Sequence, residues 1–270
     1  MKKIRIGNQT AFSAATPEEP FEYAVASGFD AFEWFPDRNE SGEGWDISEI
    51  DPQSRSHIRD RARKHAITLA VHASLLANPL EIETHGIIMK DIKFSHDIGA
   101  ELVNMHLSVH CGLDDYIDAI MPVIGQIVKA GMKMSIENTP LTTPEDFNRL
   151  FSLLQDMEVV EKGNVGMCLD VGHANLCNAT HNDYLSFIDR LSAQVPIIHV
   201  HMHENYGDED THLPLFSGPA GTNSDGIRGL MQRLKKRNFS GSIILEQWPE
   251  PHSLLNNARE GLIRLWNEVY

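Results

Sequence analysis

Two rhythms of apolar and polar positions take turns along this chain. Short apolar or alternating runs begin at Ile4 and recur at Phe29–Phe35, Ala66–Ala73, Glu101–Leu107, Met132–Glu137, Val165–Leu169, from Pro196 onward, and at Gly241–Glu246. Such runs fit strands, whose side chains alternate between two faces. Longer polar–apolar segments between them predict helices. Thr16-Pro17-Glu18-Glu19 and Thr143-Pro144-Glu145-Asp146 each place a capping residue before a proline and early acids, the grammar of a helix start. Gly28, Gly99 and Gly131 stand where a helix needs a left-handed cap before the next strand. Further helices are predicted up to about Lys64, near Tyr184 to Leu191, from about Ser224 to Arg237, and at the end to about Val269. Strict strand-then-helix alternation implies a parallel sheet, and eight such units in a chain of this length predict a closed (β/α)8 barrel. A doubly wound open sheet is the alternative, but no Gly-rich dinucleotide fingerprint follows the first strand. No linker divides the chain, so one α/β domain over residues 1–270 is expected.

Composition narrows the classes of partner. The chain has 38 acidic and 23 basic side chains, a formal net charge of −15. That disfavours a broad nucleic-acid or anionic-membrane surface, although a local basic groove stays open. Three cysteines, Cys111, Cys168 and Cys177, are an odd and sparse set that fits reduced thiols and a cytoplasmic location. No apolar run approaches the ~18 residues of a membrane span. The opening MKKIRIGNQT has lysines but no apolar core, so it does not resemble a signal peptide.

Candidate chemistry concentrates in His199–His212, HVHMHENYGDEDTH. It follows the apolar Pro196-Ile197-Ile198, so the imidazoles begin where a buried strand ends. Strand alternation puts His199, His201 and His203 on one face. Asp210 and His212 also point the same way if the chain is extended between them. Imidazole and carboxylate donors on one face suit a divalent metal. In a (β/α)8 barrel the active site lies at the C-terminal strand ends. There the chain places His72, His106, Glu137, Asp170, His201 and Glu246, one from each of strands three to eight, with His173 just after strand six. Clustered acids at one rim would repel without a cation between them.

The segments LAVHASLLANP, MSIENTP, CLDVGHANL, HVHMHEN with DTHLP, and ILEQWPE resemble the xylose isomerase-like TIM barrel superfamily. This superfamily contains sugar and sugar-phosphate isomerases and epimerases, and the endonuclease IV group (AP endonuclease family 2). The resemblance covers essentially the whole chain. Isomerases and epimerases of this kind hold one divalent ion (Mn, Mg, Co or Zn), which implies Glu137, Asp170, His201 and Glu246 as ligands here. Enzymes like endonuclease IV hold two to three zinc ions, which implies His72, His106, His173, Asp210 and His212 as additional ligands. Whether His203 is a ligand stays open.

Under the isomerase reading, a metal-stabilised enediolate forms on proton loss, Glu137 and Glu246 are the catalytic acid and base, and His173 contacts a substrate hydroxyl. Under the phosphoesterase reading, clustered ions activate water and clamp the phosphate. Isomerisation or epimerisation of a sugar or sugar phosphate is preferred because the loop Asn39–Asp51 has five acidic residues and no lysine or arginine and Glu204–Asp210 is acidic too, a poor grip for nucleic acid, and because the loop after strand three, Ser74-Leu75-Leu76, lacks the aromatic residue that DNA-repair members of the superfamily place there. The expected partner is therefore a small carbohydrate, with no membrane involvement and oligomer formation left open. A catalytically silent metal-binding barrel is a third reading, because fold alone does not imply chemistry. Trp34 and Trp248 follow strands two and eight and are candidates to stack on a sugar ring. Ser217–Thr222, Gly-rich and ahead of a helix, offers amides to a substrate phosphate, though an ordinary loop is the simpler reading. Cys168, two residues before Asp170, reads as a structural thiol rather than a nucleophile.

Overall fold

The computed structural model describes residues 4–155 and 163–269; Lys2 and Lys3 of the N-terminal segment lie outside them. Eight parallel strands close on themselves in sequence order: β1 (Arg5–Gln9), β2 (Ala31–Trp34), β3 (Thr68–His72), β4 (Leu102–His106), β5 (Lys133–Glu137), β6 (Val165–Asp170), β7 (Ile197–Met202) and β8 (Ser242–Leu245), with β8 pairing back onto β1. The helices α1 (Glu19–Ser27), α2 (Pro52–His65), α3 (His85–Ile98), α4 (Leu113–Lys129), α5 (Pro144–Leu154), α6 (Val171–Leu176), α7 (Tyr184–Arg190), α8 (Asp225–Lys236) and α9 (Ser253–Glu268) lie between and after the strands. This is a (β/α)8 TIM barrel, as the alternating pattern predicts.

Local chemistry sets the helix ends. Thr143 caps α5 in a reciprocal box with Asp146, and Pro144 opens the helix. Asp51 caps α2 by accepting from the amides of Gln53 at 2.7 Å and Ser54 at 2.8 Å. Gly28 and Gly99 close α1 and α3 with φ of 68° and 75°. The first helix departs from expectation: it starts at Glu19, not Pro17. Pro20 explains the shift. A proline is tolerated only in the first helical turn, where its missing N–H has no partner to lose. A start at Pro17 would have put Pro20 where that hydrogen bond is needed.

The apolar core fills the layer between strands and helices, with Phe21, Phe32, Phe94, Phe147, Phe151 and Phe187 fully buried. The inside of the barrel is different. Glu33, Asn104, Ser135, His199 and His201 are buried there, and they bond to one another across strands: Ser135 Oγ donates to Asn104 Oδ1 at 2.7 Å, and His199 Nε2 lies 2.9 Å from Glu33 Oε2. A barrel interior is ordinarily filled by branched aliphatic side chains. Here it is a polar column beneath the C-terminal rim.

Candidate metal centre at the C-terminal rim

Each predicted ligand reaches the rim from its own element. His72, His106, Glu137 and Asp170 are the last residues of β3, β4, β5 and β6; His201 lies on β7, His203 just after it, and Glu246 just after β8. His173 sits in the first turn of α6, whose N-terminus Asp170 caps by accepting the His173 amide at 2.6 Å. Asp210 and His212 return to the strand ends because Glu204 and Leu213 pair antiparallel, with mutual amide–carbonyl bonds of 2.9 and 2.8 Å. His212 adopts φ 45°, an uncommon conformation for a non-glycine residue that tends to collect at functional sites.

The imidazoles are oriented by what their far nitrogens touch. Nδ1 of His72 lies 2.6 Å from the Ala73 carbonyl, Nδ1 of His173 lies 2.8 Å from that of Asn138, and Nδ1 of His212 lies 3.1 Å from that of Glu246. A carbonyl can only accept, so each Nδ1 carries the proton and each Nε2 is left for the centre. Those Nε2 atoms face carboxylates: His72 is 3.2 Å from Glu137 Oε2, His173 is 3.1 Å from Asp210 Oδ2, and His212 is 3.3 Å from the same Asp210 oxygen. His201 reverses the arrangement. Its Nε2 is 2.9 Å from Glu33 Oε1, and its Nδ1 is 3.0 Å from Glu246 Oε1 and 3.2 Å from Glu137 Oε2.

Glu137 is the hub. One carboxylate oxygen faces His72 and His201 and takes a hydrogen bond from the Asn104 amide; the other is 3.3 Å from His106 Nε2 and 3.4 Å from His173 Nδ1. Gln9 donates to Glu246 Oε1 at 2.9 Å. The donor atoms form overlapping trios, His72–Glu137–His201, His106–Glu137–His173, Asp170–His173–His203 and His203–Asp210–His212, each with its atoms within 4.8 Å of one another.

Electrostatics agree with a site for cations. Burial opposes ionisation of Glu137, yet His201 and His106 hold it well below the usual carboxylate range. Burial likewise opposes ionisation of Asp170 and Asp210. His173 and His203 keep Asp170 ionised; His173 and His212 do the same for Asp210. Against their own burial, His72 is pushed up to about 8 by Glu137 and His212 to about 9 by Asp210. Several buried polar atoms nonetheless make no well-directed hydrogen bond: Asp170 Oδ2, Glu246 Oε2, and both ring nitrogens of His201 and His203, of which both nitrogens of His201 and Nε2 of His203 are held in ion-pair contact with the acids beside them. Unpaired buried polar atoms are costly, and their coincidence at one spot fits divalent ions held between carboxylates and imidazoles.

Above the cluster opens a cavity of about 460 Å³ walled by Phe12, Phe35 and Trp248, with no lysine or arginine in its lining. Trp248 stacks on His252 at 4.0 Å and contributes to that wall. Trp34 does not, which corrects the expectation that it meets substrate. It is fully buried on the helix side of β2, edge-on to Phe32 at 5.1 Å and to Trp45 at 5.7 Å. The reason is strand parity: Trp34 and Phe32 share the outer face, so Ala31 and Glu33 take the inner one. Glu33 is not among the predicted site residues, although the same parity carries a signal for it: an acid on an inward position of an otherwise apolar strand, facing His199. Burial opposes ionisation of Glu33, but His201 and His199 hold it well below the carboxylate range. The amides near Ser217–Thr222 are also taken: Glu204 accepts from Phe216 and from Ala220, the latter at 2.7 Å, so these two are not free for phosphate. Burial raises the Cys168 thiol, in keeping with an inert role.

Comparison with known proteins places these features in a family. The family described as xylose isomerase-like TIM barrel matches residues 21–265. The protein MJ1311 of Methanocaldococcus jannaschii is 26% identical over 220 residues, covering 73% of this chain and 70% of its own. Among solved structures, a D-tagatose 3-epimerase-like protein superposes with a TM-score of 0.72 at 20% identity, over 98% of this chain and 99% of its own. Endonuclease IV from Thermus thermophilus superposes with a TM-score of 0.66 at 20% identity, over 98% and 99%. At such identities the two superpositions speak for the fold.

Proposed function

The chain belongs to the xylose isomerase-like TIM barrel family, and from that premise we propose that it is a multi-ion metalloenzyme hydrolysing a small phosphoester. The observation that carries this reading is Glu137, one of whose oxygens faces His72 and His201 and the other His106 and His173. A single-ion centre built from Glu137, Asp170, His201 and Glu246 has no need for His72 and His106 to be oriented onto Glu137. A centre holding more than one ion would use the imidazoles beside both Glu137 oxygens.

The residues that would hold the ions are Glu137, Asp170, His201 and Glu246, with His72 and His106 on one flank and His173, Asp210 and His212 on the other. When bound, divalent ions supply Lewis acidity and lower the pKa of water toward neutrality. The chain's own groups do the rest. Glu246 lines the cavity, so its carboxylate would be the group to take a proton there. Gln9, bonded to Glu246 Oε1, keeps that carboxylate turned. Phe12, Phe35 and Trp248 exclude water from the reacting centre.

The substrate is expected to be small. The cavity volume is that of a metabolite pocket, and a nucleic-acid duplex would need cationic side chains that the lining lacks. The acid-rich loop reinforces this, since Glu43 reaches the cavity itself. Isomerisation or epimerisation of a sugar is the second reading, favoured by the aromatic, uncharged walls, and it needs only the four-residue set.

Elemental analysis of protein purified without added metal or chelator separates the two. Two to three zinc equivalents per chain, with turnover of p-nitrophenyl phosphoesters and none of a ketose panel, is the expected result. About one equivalent of Mn, Co or Mg, with ketose conversion and no hydrolysis, would replace hydrolysis by the isomerase reading.

A further inference from the structure

We propose that the cavity above the rim reads a positive charge on its substrate, so that the ester hydrolysed is the phosphate of an amino alcohol, with Phe12, Phe35 and Glu43 receiving the ammonium end. This rests on the hydrolase reading and deepens it by naming the substrate class.

The cavity wall has an order. The Phe35 ring lies 4.6 Å from the His72 ring, centroid to centroid, and the Phe12 ring lies 5.7 Å from that of Phe35. Phe12 in turn packs on the turn that carries Glu43. A Cβ built on Gly44 would lie 2.7 Å from Phe12 Cδ1 and 2.2 Å from the Asp37 carbonyl oxygen, and Gly44 has φ 108°. Both the space and the backbone conformation call for glycine, which lets the turn close against the ring. From the metal cluster outward the wall therefore runs His72, Phe35, Phe12, Glu43. Trp248 faces the same cavity, and Tyr23 meets its ring edge-on at 5.6 Å.

Glu43 is fixed in place. Its Oε2 accepts from Asn39 Nδ2 at 2.8 Å and from Ser41 Oγ at 3.1 Å, and its amide donates to Asn39 Oδ1 at 2.9 Å. The two side-chain bonds hold its carboxyl below the usual carboxylate range. Arg38 of the same turn is spent elsewhere, on Glu49 at 2.5 Å and on the Gly42 carbonyl at 2.8 Å. Among the described residues no lysine or arginine lines the cavity. An ionised carboxylate beside aromatic faces attracts an ammonium group, because the face of a ring is the negative part of its quadrupole. Ions at the cluster would take the phosphate, at the other end of this wall. A substrate that carries its own cation is also repelled less by a chain of net charge −15 than a plain phosphate ester is. A sugar could stack on the same rings, but it offers no charge to Glu43. The reaction adds one water: its oxygen joins phosphorus as the bond to the alcohol oxygen breaks, a proton goes to that oxygen, and the ammonium group is unchanged.

The test measures kcat/KM of full-length, metal-containing protein on the phosphate esters of choline, of ethanolamine, of the neutral alcohol in which carbon replaces the choline nitrogen, and of glycerol. The choline ester is expected to exceed its neutral isostere by about tenfold. Glu43→Gln and Phe12→Leu should each shrink that ratio by about threefold, with circular dichroism checking the fold. Glu40→Gln removes an acid of the same loop that lies outside the lining, and it should keep the ratio. Equal rates for the choline ester and its isostere, a preference for glycerol phosphate, or a ratio that Glu40→Gln lowers as much as Glu43→Gln does, would each overturn the ammonium site and leave the hydrolase standing. Protein that hydrolyses no phosphoester, the p-nitrophenyl ester included, would overturn the hydrolase reading and the substrate class together.

Discussion

The two mouths of the barrel are both hollow, and the larger hollow is at the wrong end for chemistry. The N-terminal mouth holds a cavity of about 710 Å³ lined by Arg5, Lys133, Lys236 and Arg237; the C-terminal mouth holds the smaller one, of about 460 Å³. Their charged groups are in different situations. Arg237 donates to the carbonyls of Ile188, Leu191, Ser192 and Val195, finishing α7 and the turn after it, and Arg5 donates to Ser242 Oγ and the Ser240 carbonyl. These guanidinium groups are satisfied by the fold. At the C-terminal mouth, Asp170, His201, His203 and Glu246 are buried with polar atoms left over. Volume therefore does not locate the site; the cluster of buried carboxylates and imidazoles does.

Glu137→Gln is the severest test of that contrast. It removes the charge between the flanking imidazoles, and loss of such an electrostatic group costs on the order of 10²–10³ in turnover. Metal content should fall with it. A variant that keeps its metal and turns over normally would take Glu137 out of the centre. Glu33→Gln is next. Glu33 never touches the cavity but faces both His199 and His201, so metal affinity should drop about 10–100-fold, read by chelator competition, while the protein still folds.

Acidity probes the same groups without mutation. His72 and His212 are raised to about 8 and about 9 from an ordinary 6.5. What they add to the stability of metal-free protein is fully present below pH 6.5, and it is lost as the pH rises through 8 and then 9. Glu33, Glu137, Asp170 and Asp210 are depressed, so their contribution is present above about pH 4 and is lost as the pH falls below it. Chelated protein should thus melt highest between these limits. Metal uptake runs the other way on the alkaline side: it displaces the His72 and His212 protons, so apparent affinity should climb from about pH 6 to about pH 9. Equal melting temperatures for chelated protein at both of those pH values would contradict the ion pairs at the rim.

The other mouth supplies the small effects. Arg237→Ala strands several carbonyls and should destabilise by about 1–3 kcal/mol in a denaturant melt, with metal content unchanged. Lys133→Gln, an exposed change, should stay within about 0.5 kcal/mol of wild type. A loss of metal from either would blur the distinction between the two ends.

Much of this was written along the chain. The alternation of strand and helix patterns determined the barrel, because each periodicity can bury its apolar face in only one kind of element. Topology then assigned His72, His106, Glu137, Asp170 and Glu246 to the rim, since all parallel strands of a barrel end on the same side. Parity also contained the placement of Trp34 in the helix layer and of Glu33 inside. Parity fixes the face of a side chain but not its partner, and Glu33 finds His199 and His201 only when β2 and β7 meet across the closed barrel. Other facts lay beyond any pattern. Which nitrogen each imidazole offers depends on a carbonyl brought alongside it by the backbone, Ala73 for His72 and Glu246 for His212. That both oxygens of Glu137 face imidazoles, that Glu204 has already claimed two loop amides, and that Gly172 makes way for His203 are contacts between residues well separated in the chain. Spacing fixes direction within one element; only the closed barrel sets the distances between elements, and coordination chemistry is decided by those distances.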